Sequence, residues 1–327
     1  MMGVPLDVRI ALLRQHGTFA QAYSATFQQE LEHFGDKHGF LAYKKLWGTT
    51  LVLADPIAPL LANGQLINRF LGQHDDVCFW YASRRVAEIL APLGFFINEM
   101  GPENRIDLAR YDFSGRAKRN VRRSFHRMVN RGYTICESSI QEVGVAEVKA
   151  VSEAWRGTHT VSGHEVTFLC RPLVFTDDPD VRLVFAFDRH KRLTAFTVFE
   201  PVYRNGDIVG YAAQHNRRHP KADSLVQHAI KRWAIERFRA EGKQYLFLGI
   251  SPMADIHDRE FRKNWLVRRS FRFAYESALF NRFIYPIKSI SEHKRQFHAS
   301  TEQTYFAFNR LPSLPHLLRI LRACRIL

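Results

Sequence analysis

Cysteine is scarce. The four thiols at Cys78, Cys136, Cys170 and Cys324 stand far apart with no CxxC spacing, which argues against both a zinc knuckle and a disulfide framework. They read as buried, inert side chains. Long apolar runs are missing too: no window of about 18 uncharged apolar residues occurs, and the start MMGVPLDVRIALLRQHG brings acid and base too early for a secretory leader. These absences predict a soluble, cytoplasmic chain. Acid is the third deficit, with 32 Asp and Glu against 47 Lys and Arg and a formal net charge of +15. Such an excess attracts phosphate, on nucleic acid or on an anionic membrane surface, and does not by itself choose between them. No Pro, Gly or Ser-rich linker and no low-complexity tract interrupts the chain.

At 327 residues the chain exceeds what one core usually organises, so two units are expected. In the first, GFLAYKKLWGTTLVLADP reads as two strands about Gly48, the second stopping at Asp55-Pro56, where proline ends a ladder. LLANGQLINRFLGQH and RRVAEILAPLG have helical periodicity, and VCFWYA and NRIDLARYDF read as strands. In the second, VRLVFAFD, LTAFTVFEPVY and IVGYAAQ are consecutive antiparallel strands, followed by the amphipathic helix KADSLVQHAIKRWAIERFRAEG and the buried strand QYLFLGIS. Three strands, a helix and a further strand form the core order of the GCN5-related N-acetyltransferase fold. The expectation is an α/β (α+β) chain of two such folds, residues 1–114 and 134–327, joined by a basic helix at 115–133.

That connecting stretch, GRAKRNVRRSFHRMVNRGY, holds seven cations (Arg116, Lys118, Arg119, Arg122, Arg123, Arg127 and Arg131) and no acid. Val121, Phe125 and Met128 supply an apolar stripe at i, i+4 and i+7, and Gly132 supplies a C-terminal stop. A solvated helix face usually mixes signs for i, i+4 pairing. This one has no acid of its own, which favours a phosphate ligand over simple solvation.

These residues resemble the aminoacyl-tRNA-dependent phosphatidylglycerol lysyl- and alanyltransferases. Gly115, Lys118 and Arg122 sit where that family carries GKK..K.LR, and further matches follow in order: LADP at 53–56, IDL at 106–108, SEAW at 152–155, TFLCRP at 167–172, HPKADSL at 219–225, FLGISPMA at 247–254 and YPIKSISEHKRQF at 285–297. Each is short; their order across about 250 residues carries the resemblance. It implies a transferase that moves an amino acid from charged tRNA to a lipid head group, or to another small hydroxyl or amine acceptor. Charged tRNA would be a co-substrate; no cofactor, metal or DNA is expected. The seven cations would hold tRNA phosphates.

The family's D..R pair at the end of the third strand falls on Gln214 and Arg217, so the carboxylate has become an amide, which neither takes a proton as a base nor pairs with a cation. His215 beside it is a candidate for proton handling. Asp223 joins the catalytic set by the family match, against a simple role in capping the long helix. Asp55, Arg171, Ser251, Lys288 and Lys294 are candidate substrate-binding residues. The tail LPSLPHLLRILRACRIL separates leucines from arginines and is expected either to lie on the inner face of a membrane or to close the core. Two rivals stay open: an acetyl-CoA-dependent N-acyltransferase, weakened because NRRHPKADS lacks the glycines of a pyrophosphate turn, and a non-enzymatic RNA binder, for which no aromatic RNA-recognition signature is visible.

Overall fold

Residues 3–158, 165, 167–310 and 314–325 are described by the structure, a computed structural model. In the first half α1 (Leu6–His16) and α2 (Ala22–Phe27) precede β1 (Glu32–Asp36), β2 (Gly39–Leu46) and β3 (Thr49–Ile57); α3 (Asn63–Leu71) leads to β4 (Val77–Ala82), and α4 (Arg84–Leu90) to β5 (Phe96–Asp107). After α5 (Arg119–Asn130) and β6 (Thr134–Glu137) the order returns. Helices α6 (Ile140–Val143) and α7 (Val145–Arg156) precede β7 (Arg182–Phe187), β8 (Leu193–Arg204) and β9 (Asp207–Arg218). Then come α8 (Val226–Ala240), β10 (Tyr245–Ile250), α9 (Trp265–Glu276), α10 (Ala278–Phe283), α11 (Ile287–Arg295), β11 (Ser300–Phe308) and α12 (Leu314–Ala323). In each half the strand after the helix runs parallel to the last of the preceding three: β4 beside β3, and β10 beside β9. The chain is thus a tandem of acyltransferase-like folds of the GCN5-related kind.

All the strands join one sheet, in the order β1-β2-β3-β4-β11-β5-β10-β9-β8-β7-β6. The closing strand of each half therefore lies in the other half's sheet. β5 pairs antiparallel with β10, β11 pairs antiparallel with β4, and β5 and β11 pair with each other from Phe96–Phe308 to Arg105–Ser300. Residues 300–308, placed by sequence with the second unit, thus sit among strands of the first. The sequence pattern gave no sign of β1 or β11, because STEQTYFAF is polar at one end and buried only from Thr304 onward. β3 also runs past Pro56 to Ile57, which pairs with Phe40 across a register shift. Proline is tolerated at such an irregularity.

Helix α8 covers the second half through Val226, Ala229, Ile230, Ala234, Ile235 and Phe238, and the buried apolar α5 residues Val121 and Met128 join the same cluster. Gly132, at φ +77, stops the turn after α5 as expected, with the Tyr133 N–H donating back to Met128 O at 2.9 Å. The basic helix is therefore part of the layer over the second half, laid against α8.

The exchanged strand should bind both halves into one cooperative unit. Phe306 of β11 is fully buried, with ring centroids 4.7 Å from Trp80 and 6.1 Å from Phe271. Phe306→Ala is expected to cost about 3–5 kcal/mol and to lower a single unfolding transition seen by both tryptophan fluorescence and circular dichroism. A two-step melt in which one step keeps the wild-type midpoint would show that the halves fold independently.

Candidate functional site

β9 and β10 separate after a short pairing. Gly210, Tyr211 and Ala212 face Tyr245, Leu246 and Phe247; beyond that β9 runs on to Arg218 while β10 pairs with β5 at Gly249–Asn104 and Ile250–Glu103. Each strand carries an irregularity at the fork. Gln214 is the extra residue of a bulge in β9, where Val198 pairs with His215 and Phe199 with Ala213. In β10 the register shifts across Leu248, and Gly249 adopts φ +81, a conformation that favours glycine. Bulges bend the strand and re-aim side chains. The result is a gap with both strand ends diverging around it. Helix α11 spans this gap: just before it stands Tyr285, whose phenol burial pushes up to about 12 against the pull of the Arg217 charge, and near its other end the His293 ring lies 4.3 Å from His228 while Lys294 Nζ donates to Ile250 O.

Arg217 is a closely confined cation at the gap. It is 5 % exposed, its guanidinium lies 3.9 Å from the Trp155 ring centroid, and it donates to the Glu165 carboxylate and, at 3.4 Å, to His215 Nδ1. Its Nε–H is buried with no hydrogen-bond partner among the described residues. Burial lowers its proton affinity from the ordinary arginine value, and the Glu165 charge opposes that. An arginine so held stays charged. His215 donates from Nε2 to Arg171 O at 2.9 Å. The carbonyl only accepts, so Nε2 carries the proton and Nδ1 accepts from Arg217. Burial first, then the Arg217 charge, push this histidine down to about 3, so at neutral pH it is uncharged and orients Arg217.

The remaining buried polar groups lie on either side of the fork. Lys231 Nζ donates to Asn216 Oδ1 at 2.7 Å and to Gln227 Oε1 at 3.3 Å, and burial, helped by the Lys294 charge, lowers it to about 7. Lys294 is lowered to about 8 by burial, against the pull of Glu103. Glu103 accepts from Tyr81 Oη at 2.9 Å and is raised to about 7 by burial. On the α2 side a hollow lined by Arg171, Asp178, Glu200 and His215 adjoins the bulge. Arg171 pairs with Asp178 there, and Ser24 Oγ donates to Glu200 at 3.1 Å.

Of the sequence candidates, Gln214, His215, Arg217, Arg171, Ser251 and Lys294 gather around the fork. Gln214 Nε2 donates to Ala20 O at 3.0 Å, and Ser251, buried, accepts from Asn104 Nδ2 at 2.9 Å. Three others are elsewhere. Asp55 accepts from the Ser83 N–H at 2.8 Å and so secures the start of α4. Lys288 is exposed on α11. Asp223 accepts from the Leu225 N–H ahead of α8 at 2.8 Å and pairs with Arg131 and, at 3.6 Å, with Arg127 of the basic stretch. That pairing corrects the expectation of an unpaired basic helix, because the neutralising acids come from outside it. Lys118 is matched by Asp112 at 3.4 Å, and Arg122 donates to the carbonyls of Phe113 and Gly115. Arg116, Arg119 and Arg123 remain exposed on the turn before α5 and on its first turns.

Glu165, Lys231 and Tyr285 were not picked out from sequence. GHEV gave no motif to fix Glu165, and Lys231 sits in an amphipathic pattern where lysine ordinarily reaches solvent. Trp155 lay inside the SEAW match without an assigned role. The depressed His215 sets a test: its buried neutral form contributes stability that is complete above the unfolded value near 6.5 and is lost as pH falls toward about 3. His215→Gln, which keeps a donor for Arg171 O, should lose about 1–2 kcal/mol less than wild type between pH 7 and pH 5 in denaturant titrations. Equal losses in the two proteins would place a charged, solvated imidazole at this position.

Comparison with known proteins agrees with this architecture. Residues 10–308 match the family described as phosphatidylglycerol lysyltransferase, C-terminal. The phosphatidylglycerol lysyltransferase of Bacillus subtilis (strain 168) is 22% identical over 315 residues, covering 93% of this chain and 35% of the relative. That of Staphylococcus haemolyticus is 25% identical over 328 residues, covering 93% and 37%. The chain thus spans little more than a third of the length of these curated relatives. Among solved structures, L-PGS from Bacillus licheniformis superposes with a TM-score of 0.77 at 18% identity over 99% of each chain. A C-terminal domain assigned to a lysylphosphatidylglycerol synthetase of Agrobacterium fabrum gives 0.76 at 17%, covering 97% of this chain and 95% of that one. At no more than 18% identity these two structures speak for the fold alone. With the family match covering almost the whole sequence, the chain belongs to the family of phosphatidylglycerol lysyltransferase C-terminal domains.

Proposed function

We propose that this chain transfers an aminoacyl group from charged tRNA to a hydroxyl of an anionic phospholipid head group, with the β9–β10 gap as the place of transfer. The observation that carries this reading is the buried Arg217 guanidinium, whose Nε–H has no hydrogen-bond partner among the described residues while Glu165, His215 and Trp155 fix the rest of the group. Such a donor is preorganised for an oxyanion or a phosphate oxygen. In the reaction the acceptor oxygen bonds to the ester carbonyl carbon, the bond from that carbon to the terminal ribose oxygen breaks, and the acceptor's proton ends on the ribose oxygen. One ester replaces another, so alignment and exclusion of water are the main demands.

Gln214 has no basic function, and His215 is engaged on both nitrogens. Lys231, with a proton affinity near 7, is the group at the fork best matched to carry the proton. The lost carboxylate at 214 is offset by Glu165, which faces Arg217 from another segment. The charged tRNA would run its backbone along Arg116, Arg119 and Arg123, and phosphate contacts of this kind position without reading sequence.

Arg217→Ala should lower transfer by about a hundredfold or more while tRNA binding is kept, scored by mass spectrometry of a lipid extract incubated with charged tRNA. Wild-type product from the folded variant would remove Arg217 from the chemistry. Independently, exchanging Arg116, Arg119 and Arg123 for glutamine should weaken binding of all tRNA species alike and lower the slope of log affinity against log salt by roughly 0.7–0.9 per lost contact. An unchanged slope would separate these arginines from the RNA.

A further inference from the structure

Helix α9 is two-faced in a way the transfer reaction does not use. Val267, Phe271 and Ala274 are buried, Val267 and Phe271 in the cluster that includes Trp80 and Phe306. Trp265, Arg269, Arg272, Phe273 and Glu276 recur at helical spacing on the opposite side and are exposed, with Trp265 at 69% and Phe273 at 66%. Successive α10 adds Leu279 at 70%, Phe283 at 50% and the exposed Arg282, whose guanidinium lies 5.2 Å from the Phe283 ring centroid. Exposed single hydrophobics are ordinary, but four large ones on two successive helices, interleaved with arginines, form a patch that calls for an occupant.

The composition selects that occupant. Tryptophan and phenylalanine beside arginine suit the boundary between head groups and acyl chains, where the rings enter the apolar layer and the guanidinium groups meet lipid phosphate. The chain's charge of +15 adds long-range attraction to an anionic surface. The patch also leads to the site: four residues after Phe283 begins α11, whose Lys294 donates to Ile250 O at the end of β10. We propose that the exposed face of α9 and α10 docks on an anionic phospholipid bilayer and presents the β9–β10 gap to the head groups. This deepens the functional reading above and rests on it for the identity of the surface's use, but docking itself is measurable without any transfer.

Flotation with vesicles of equal parts phosphatidylglycerol and phosphatidylcholine, and with phosphatidylcholine alone, tests it. Wild type should float with the anionic vesicles, less so as salt rises, and brominated acyl chains should quench Trp265, read as the difference from Trp265→Phe. Joint replacement of Trp265, Phe273, Leu279 and Phe283 by alanine should reduce binding at least tenfold, and Arg269→Glu with Arg272→Glu should abolish the preference for anionic lipid. Leu60→Ala with Leu61→Ala is the control: these leucines are 58% and 96% exposed, on a turn without basic residues, and their loss should change nothing. The proposal falls if wild type does not bind, if the fourfold variant binds as wild type does, or if centrifugation shows a dimer that the fourfold variant dissolves, since a second copy would then cover the face. Transfer to detergent-dispersed lipid separates the two ideas. If the fourfold variant keeps it, the docking face and the chemistry are distinct; vesicle binding by a wild type that transfers nothing would retain the docking face and remove the functional reading.

Discussion

The pairing of β5 with β11 is the constraint from which the rest of the architecture follows. Each closes its own half in sequence but hydrogen-bonds in the other half's sheet, so β10 finds β5 waiting on the side away from β9. Beyond Phe247 the ladder with β5 continues while the ladder with β9 ends, and Gly249 supplies the conformation needed at the change of register. The approach is close. A Cβ on Gly101 of β5 would lie 2.2 Å from Ser251 O, and one on Gly249 would lie 3.2 Å from Lys294 Nζ. The same pairing that makes two folds into one sheet therefore opens the gap in the second.

Once a gap exists, burial decides what its side chains do. Arg217 loses solvation and is compensated by a carboxylate, a neutral histidine and an aromatic face. Removing the carboxylate alone would leave a buried cation poorly compensated, a situation that ordinarily costs several kcal/mol. That requirement explains how residue 214 can be an amide without loss of the arginine's placement, because the acid arrives from Glu165. Among the described residues Lys231 and Lys294 have no direct carboxylate contact, and both are displaced toward neutral pH by burial. Groups with proton affinities near neutrality beside a fixed guanidinium form a setting suited to acyl transfer.

Much of this was legible in the residues. The three-strand, helix, strand order of the second half followed from alternation and turn residues, and α5 formed about Val121 and Met128 with its stop at Gly132. The exchange of β5 and β11 was not legible, because strand order across a sheet depends on long-range pairing and STEQTYFAF alternates weakly. Arg217 was located by the resemblance, through the family's D..R pair at a strand end. Its partners were not, since Glu165 and Tyr285 reach it from distant segments and carry no local spacing. The basic stretch showed a different limit: its cations are counted in sequence, but Asp112 and Asp223 neutralise some of them from outside, and only the fold reveals which stay exposed.

The central claim is that the fork between β9 and β10 is where the amino acid changes hands. The most direct measurement is photocrosslinking with a tRNA whose 3′ end carries a diazirine-bearing amino acid in a non-hydrolysable linkage, followed by mapping of the labelled peptides. The account predicts labels on residues 212–218, 247–251 and 285–294, suppressed by unlabelled charged tRNA. Labels confined to the first half or to the outer face of α5, with none at the fork, would contradict it.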